Sequence, residues 1–137
     1  MKRITLIAVS AILLTVLACD RKVAKPLEAA DFKELIDENP DTQIIDVRTF
    51  KEFVTGHIPD AYSIDFQHPR FKAGLDTLDR NKPVAVYCLV GQRSAEAYRM
   101  LVEMDFRKVY HLTGGTVAWR REQYPINEGM GRYHPNN

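Results

Sequence analysis

Short apolar runs alternate with amphipathic segments along most of this 137-residue chain. Residues 43–47 and 83–87 are runs of strand length, rich in β-branched and aromatic side chains, and the breaker pair Lys82-Pro83 marks the start of the second. Shorter strands are predicted at 62–66 and 108–111. The segments between the strands predict helices at 27–39, 49–54, 71–78, 92–106 and 116–123.

The alternation of strands and helices predicts the fold class. Repeated strand–helix units favour an α/β domain with a mainly parallel central sheet and right-handed crossovers. The length of the chain suits one domain rather than two. In sheets of this kind the ligand site lies beyond the carboxyl ends of the strands, so we expect the functional residues where a strand ends.

Two local patterns refine the helix predictions. Thr49 is followed three residues later by Glu52, which is the spacing of a capping box, so a short helix is expected to begin there. In the helix predicted at 92–106, the side chains spaced to cover one face are Ala95, Tyr98, Leu101 and Val102.

The first segment of the chain has the features of an export signal. Lys2 and Arg3 supply a positive start, and residues 4–18 form an uncharged run that is too short to span a membrane as a mature helix. The run ends in Val16-Leu17-Ala18-Cys19, which resembles the lipobox of bacterial lipoproteins. An ordinary signal peptide cleaved nearby and an uncleaved N-terminal anchor are the alternatives.

The resemblance to the lipobox implies a processing event and a location. Residues 1–18 would be removed as a signal peptide, and Cys19 would carry the lipid. The protein would then be exported and lipid-anchored in a bacterial cell envelope, with residues 19–26 as a tether. Asp20 resembles the signal that keeps some lipoproteins at the periplasmic face of the inner membrane, and the outer membrane is the other possibility.

Charge and cysteine content narrow the function classes. The 19 basic and 18 acidic residues nearly balance, and removal of residues 1–18 leaves 17 basic residues against 18 acidic ones. A nucleic-acid-binding protein would show a strongly basic stripe, so that class is not expected. If Cys19 is lipidated, Cys88 is the one remaining thiol, and the mature chain can form no internal disulfide. The spacing of the histidines and cysteines predicts no metal site.

The segment after the strand at 83–87 carries the strongest candidate for chemistry. Cys88 lies between a strand end and the start of the helix at 92–106, where backbone N–H groups and the helix dipole favour a bound anion. Gly91 allows the backbone to curl closely around the sulfur, and Arg93 favours the thiolate over the thiol. A cysteine after a buried strand is more often an inert apolar residue, so the predicted reactivity depends on this surrounding pattern.

Three separated segments resemble the signatures of single-domain rhodanese-like sulfurtransferases. These segments are Asp46-Val47-Arg48 with Glu52-Phe53 and Gly56-His57-Ile58-Pro59-Asp60-Ala61, then Cys88-x-x-Gly91-x-Arg93-Ser94, and finally Leu112-Thr113-Gly114-Gly115 with Ala118-Trp119. The resemblance implies a three-layer rhodanese-like domain over residues 27–124, followed by a polar C-terminal tail at 125–137.

The resemblance also implies an activity. Cys88 would attack a sulfane sulfur donor such as thiosulfate, a polysulfide or a persulfide, hold the sulfur as a persulfide, and pass it to a thiol or another nucleophile. No cofactor is implied, and the expected partners are the donor, the acceptor and, through Cys19, the membrane. Loop N–H groups would cradle the sulfur anion, and the loop residues are Leu89, Val90, Gly91, Gln92, Arg93 and Ser94.

Residues outside the loop are expected to support it. Asp46 and Arg48 are interpreted as a structural pair near a strand end, with a catalytic acid and a substrate clamp as the alternative. His57 is interpreted as part of an architectural turn, with a general base as the alternative. The other supporting residues, of which the two glycines would let backbone pass close to the loop, are Glu52, Gly114, Gly115 and Trp119.

Other function classes fit parts of the same pattern. Phosphatases of the related fold use Cys-x5-Arg, whereas four residues separate Cys88 from Arg93, and the smaller loop suits one sulfur atom better. A non-catalytic module that binds a partner protein and a redox role through mixed disulfides are the remaining alternatives. Leu89 and Val90 stand where many thiosulfate-using relatives have a basic and a hydroxyl residue. The loop is therefore less cationic, and a polysulfide, a persulfide or a protein-bound sulfur donor fits it at least as well as the thiosulfate dianion.

Overall fold

One six-stranded sheet forms the centre of the protein, and the computed structural model describes residues 22–133. In chain order the elements are β1 (Val23–Leu27), α1 (Ala29–Glu38), β2 (Gln43–Asp46), α2 (Phe50–Val54), β3 (Tyr62–Ser63), α3 (Phe71–Asp76), β4 (Val84–Tyr87), α4 (Gln92–Glu103), β5 (Lys108–Leu112), α5 (Gly115–Arg121) and β6 (Arg132–Tyr133). The strands follow the order β1-β5-β4-β2-β3-β6, and every neighbouring pair is parallel. The predicted α/β fold with a mainly parallel sheet flanked by helices is confirmed.

The central strands are buried on both faces, because helices cover both sides of the sheet. Along β4 and the residue after it, Val84, Val86 and Cys88 belong to the core shared with α3 and α4, whereas Ala85 and Tyr87 belong to the core shared with α1, α2 and α5. This alternation follows the two-residue period of a strand. The run is apolar throughout because neither face of the strand meets water.

The carboxyl ends of the parallel strands meet at one edge of the sheet, and the candidate residues gather there. Asp46 at the end of β2 is in register with Tyr87 at the end of β4, and Cys88 follows directly. α2 begins just after β2 with the predicted capping box of Thr49 and Glu52, in which each side chain bonds the other residue's backbone N–H.

The predicted tether at 19–26 is wrong from Val23 onward. Residues Val23–Leu27 form β1, which pairs in register with β5 from Val23 opposite Lys108 to Leu27 opposite Leu112. Leu27 is the one residue of β1 that is buried, so the strand lacks the apolar pattern of a core strand. Pro26 is tolerated because β1 lies at the edge of the sheet.

The predicted C-terminal tail at 125–137 is also wrong over its described part, because the chain packs back onto the domain. His57 and Asn127 exchange backbone hydrogen bonds of 2.8 and 2.9 Å, and the Trp119 indole N–H donates to the Pro125 carbonyl at 2.9 Å. β6 then pairs with the short strand β3. The folded domain therefore extends beyond the predicted boundary at residue 124.

α4 ends at Glu103, and its buried face differs from the predicted one. Ser94, Ala97 and Leu101 are buried, whereas Val102 is 40% exposed. The prediction counted apolar residues alone, but the polar Ser94 lies on the inner face beside the Cys88 loop. The inner face of the helix therefore packs against the core through Ala97 and Leu101 and contributes Ser94 to the Cys88 loop.

The predicted signal peptide at 1–18 and the predicted lipidation site Cys19 lie outside the described residues. Between residues 22 and 133, the helices are all too short or too polar to cross a membrane.

Removal of residues 124–137 is expected to destabilise the domain, because it takes away β6 and leaves the buried Trp119 N–H without an acceptor. An unsatisfied buried donor alone costs about 1–3 kcal/mol of unfolding free energy. Urea unfolding of the chain without its first 19 residues measures the loss. Removal of only residues 134–137 is the matched control, and the longer truncation should lower the midpoint below that of this control; equal midpoints for both truncations would contradict the structural role of residues 124–133.

Candidate active site

The thiol of Cys88 is buried where β4 turns into α4. The residue is 1% exposed, and the Gly91 N–H donates to its Sγ at 3.1 Å. Gly91 has a φ of 98°, in the left-handed region that favours glycine. This conformation brings the N–H of Gly91 back towards the sulfur, three residues along the chain.

Hydrogen bonds to the sulfur favour its anionic form. Burial by itself raises the pKa of the Cys88 thiol, but the hydroxyl and N–H of Ser94 and the N–H groups of Gly91 and Val90 together lower the pKa below its ordinary value. Ser94 is fully buried, and its single hydroxyl proton has two acceptors within reach, the Cys88 sulfur and the Gly91 carbonyl oxygen at 3.2 Å. The loop therefore surrounds one atom with several donors, as a nest does for an anion.

A second glycine-containing segment packs tightly against this loop. The N–H of Thr116 donates to the Cys88 carbonyl at 2.9 Å, and the N–H of Val117 donates to the Leu89 carbonyl at 3.2 Å. A Cβ on Gly115 would overlap the Cys88 carbonyl oxygen and the Leu89 backbone, and one on Gly91 would lie 3.2 Å from the Gly114 nitrogen. The predicted close approach of Gly114 and Gly115 to the loop is present.

Thr116 and Val117 were not predicted as site residues. Their contribution comes from main-chain N–H groups in the first turn of α5, which have no partner within the helix itself. The sequence signal that could have indicated this role is a predicted helix that begins directly after two glycines at the end of a strand.

Arg93 is held by Glu52 and not by the sulfur. Its two terminal nitrogens donate to the two carboxylate oxygens of Glu52 at 3.0 and 2.9 Å, which joins α4 to α2. Glu52 also accepts from the N–H and hydroxyl of Thr49 at 3.0 and 2.8 Å. The hydrogen bonds from Arg93, with those from Thr49, lower the pKa of Glu52 to about 2 against the opposing effect of burial.

Asp46 and Arg48 form a buried ion pair behind the loop. Nη2 of Arg48 lies 2.6 Å from the Asp46 carboxylate and 2.7 Å from the Gly56 carbonyl oxygen, and the Arg48 N–H caps the same carboxylate at 2.9 Å. The hydroxyl of Tyr87 accepts the Ile58 N–H at 3.0 Å nearby. The pair therefore fastens the turn at 56–61 to the end of β2, which supports the structural interpretation.

His57 and Trp119 have structural surroundings. Nδ1 of His57 lies 3.0 Å from the Phe53 carbonyl oxygen, and its ring stacks on the Phe53 ring at a centroid distance of 3.9 Å. Trp119 packs edge-on against Phe32 and Tyr124. The ring contacts of both residues thus join the core to the C-terminal segment. Neither residue is among the hydrogen-bond donors to the Cys88 sulfur.

Comparison with known proteins agrees with the fold. The family model described as the rhodanese-like domain matches residues 28–122. A sulfurtransferase from Allochromatium vinosum is 27% identical over 100 residues, which cover 73% of this chain and 92% of the relative. A tRNA uridine(34) hydroxylase from Cytophaga hutchinsonii is 34% identical over 106 residues, which cover 75% of this chain but only 34% of the relative.

A solved structure shows the same architecture. The crystal structure of a rhodanese-related protein from Thermoplasma volcanium matches with a TM-score of 0.67 and 29% identity, over 75% of this chain and 97% of the other. The family model extends over more than half of the residues and includes the Cys88 loop and both of its supporting segments. The chain therefore belongs to the rhodanese-like domain family.

Proposed function

We propose that this protein is a sulfurtransferase in which Cys88 carries sulfane sulfur as a persulfide. The observation that carries the proposal is the convergence of N–H and hydroxyl donors on one buried sulfur, with the pKa of Cys88 lowered as a result. A thiolate is the nucleophile that sulfur transfer needs. The same donors suit the persulfide anion that would replace the thiolate.

The reaction proceeds in two substitutions at sulfur. The Cys88 thiolate attacks the outer sulfur of the donor, a new S–S bond forms, and the donor's own sulfur bond breaks with its electron pair staying on the leaving group. An acceptor thiolate then attacks the outer sulfur of the persulfide and releases the Cys88 thiolate. Electron pairs move between sulfur atoms only, so the chain's own residues suffice for both steps.

The other function classes have less support from the site. A phosphatase needs its loop arginine to bind the phosphate, whereas Arg93 is occupied by both oxygens of Glu52. A module that only binds a partner gains nothing from donors directed at a buried sulfur. A redox role needs a second thiol, and Cys88 is the one cysteine among residues 22–133.

Exposure to a sulfane sulfur donor is expected to add one sulfur atom to the protein. Intact-mass measurement after incubation with thiosulfate, polysulfide or an organic thiosulfonate should show this increment, and a thiol acceptor should remove it. The Cys88→Ser variant keeps the shape of the loop but has no thiolate and should gain nothing. No increment from any of these donors, or an increment that persists in Cys88→Ser, would refute the proposal.

We further propose that the protein is anchored by a lipid on Cys19, at the periplasmic face of the inner membrane. β1 begins at Val23, so at most about 14 Å of extended chain separates it from Cys19. β1 runs parallel to β5, and β5 runs parallel to β4. Cys88 follows the carboxyl end of β4, so it lies at the opposite end of the strands from Val23, where β1 begins. A short tether would therefore hold the sulfur-binding loop on the side away from the membrane.

Metabolic labelling with a fatty acid is expected to label the protein in cells that export it. Cys19→Ala should abolish the label, because it removes the acceptor thiol. Cys88→Ser is the matched control, since it removes the other cysteine, and should be labelled like the unmodified chain. Label that survives Cys19→Ala would argue against lipid attachment at this residue.

A further inference from the structure

Exposed aliphatic side chains lie in the Cys88 loop and in the segment of α5 that is hydrogen-bonded to it. Leu89 is 42% exposed and Val90 is 53% exposed, and both follow the cysteine directly. Val117, in the first turn of α5, is 44% exposed and is joined to Leu89 by its backbone hydrogen bond. We call these three residues the apolar rim. Sulfur transfer as such does not require exposed aliphatic side chains there.

The charge of the loop is largely cancelled. Between Cys88 and Ser94, Arg93 is the one charged side chain in the sequence. Its guanidinium is paired with both oxygens of Glu52, at 3.0 and 2.9 Å. A doubly charged donor such as thiosulfate would lose hydration on approach without gaining an unpaired cation of the loop in return.

The size of the apolar rim indicates a small ligand. A stable protein–protein interface buries about 800 Å² on each partner. Three aliphatic side chains that are each about half exposed offer only a small part of that area. They match one hydrocarbon group attached to the reacting sulfur.

We propose that the apolar rim selects donors in which the sulfane sulfur is attached to an apolar organic group, such as an alkyl or aryl persulfide, over inorganic thiosulfate. This inference rests on the proposed sulfurtransferase function and names its substrate class. The Cys88 thiolate attacks the outer sulfur of R–S–SH, the new S–S bond forms, and R–S⁻ leaves with the electron pair. Leu89, Val90 and Val117 contact the group R and contribute binding free energy by burying it.

A series of thiosulfonates tests this inference, because the compounds share a reacting sulfur and differ in the group behind it. Thiosulfate is a dianion, whereas methanethiosulfonate and benzenethiosulfonate are monoanions with a small and a large apolar group. With cyanide as acceptor, we expect kcat/KM to rise from thiosulfate to methanethiosulfonate to benzenethiosulfonate. Burial of the ring predicts about a tenfold difference between the last two.

Substitutions in the rim identify its contribution. The double variant Leu89→Ser/Val117→Ser should remove most of the about tenfold difference in kcat/KM between benzenethiosulfonate and methanethiosulfonate. Leu89→Arg should raise kcat/KM for thiosulfate. The control is Val102→Ser, which changes a residue of similar exposure (40%) near the far end of α4, and it should leave all three donors unaffected.

The outcomes separate this inference from the function on which it rests. Turnover with thiosulfate as the preferred donor, or rim variants that change all donors equally, would overturn the inference and leave sulfur transfer intact. No sulfur transfer from any of the three donors would overturn the inference, and it would overturn the proposed function too if polysulfide also adds no sulfur to Cys88.

Discussion

The close contact between two backbone segments is the constraint on which the site depends. The loop after β4 and the first turn of α5 approach so closely that Gly115 has no room for a Cβ, and a Cβ on Gly91 would lie only 3.2 Å from the Gly114 nitrogen. Two N–H groups of α5 hold the carbonyls of Cys88 and Leu89. With its carbonyls held in this way, the loop keeps a fixed orientation in which other N–H groups point at the sulfur.

Charged side chains support the loop as ion pairs, and they do not bind the sulfur themselves. Asp46 and Arg48 neutralise each other in the interior, and Glu52 and Arg93 do so near the surface. Removal of one partner would leave a buried or half-buried charge, which is costly. The anion on Cys88 is therefore stabilised by fixed dipoles, and the space around it is free of unpaired loop charges. On this combination rest the proposed binding of sulfur rather than phosphate and the proposed preference for an apolar sulfur carrier over a dianion.

The parts predicted from the sequence are those whose residues carry both pattern and chemistry. Cys88 follows a strand that is buried on both faces, and such a strand is apolar throughout, so the sequence predicted that Cys88 stands at a strand end. The spacing from Cys88 to Gly91 and Arg93 predicted an anion-binding loop around the sulfur. β1 escaped prediction because an edge strand with one buried residue has no apolar pattern. β6 is only two residues long, and its position depends on pairing with β3. Thr116 and Val117 act through main-chain atoms, which residue identity does not reveal.

Direct titration of the thiolate tests whether hydrogen bonds of the loop stabilise the Cys88 sulfur as an anion. The ultraviolet absorbance of the thiolate against pH should give a midpoint below the free-thiol value of about 8.5, since a lowered pKa means that the thiolate persists to lower pH. Ser94→Ala, which removes one donor, should raise the midpoint. A midpoint at or above about 8.5 in the unmodified protein would contradict the account, because burial would then outweigh the donors.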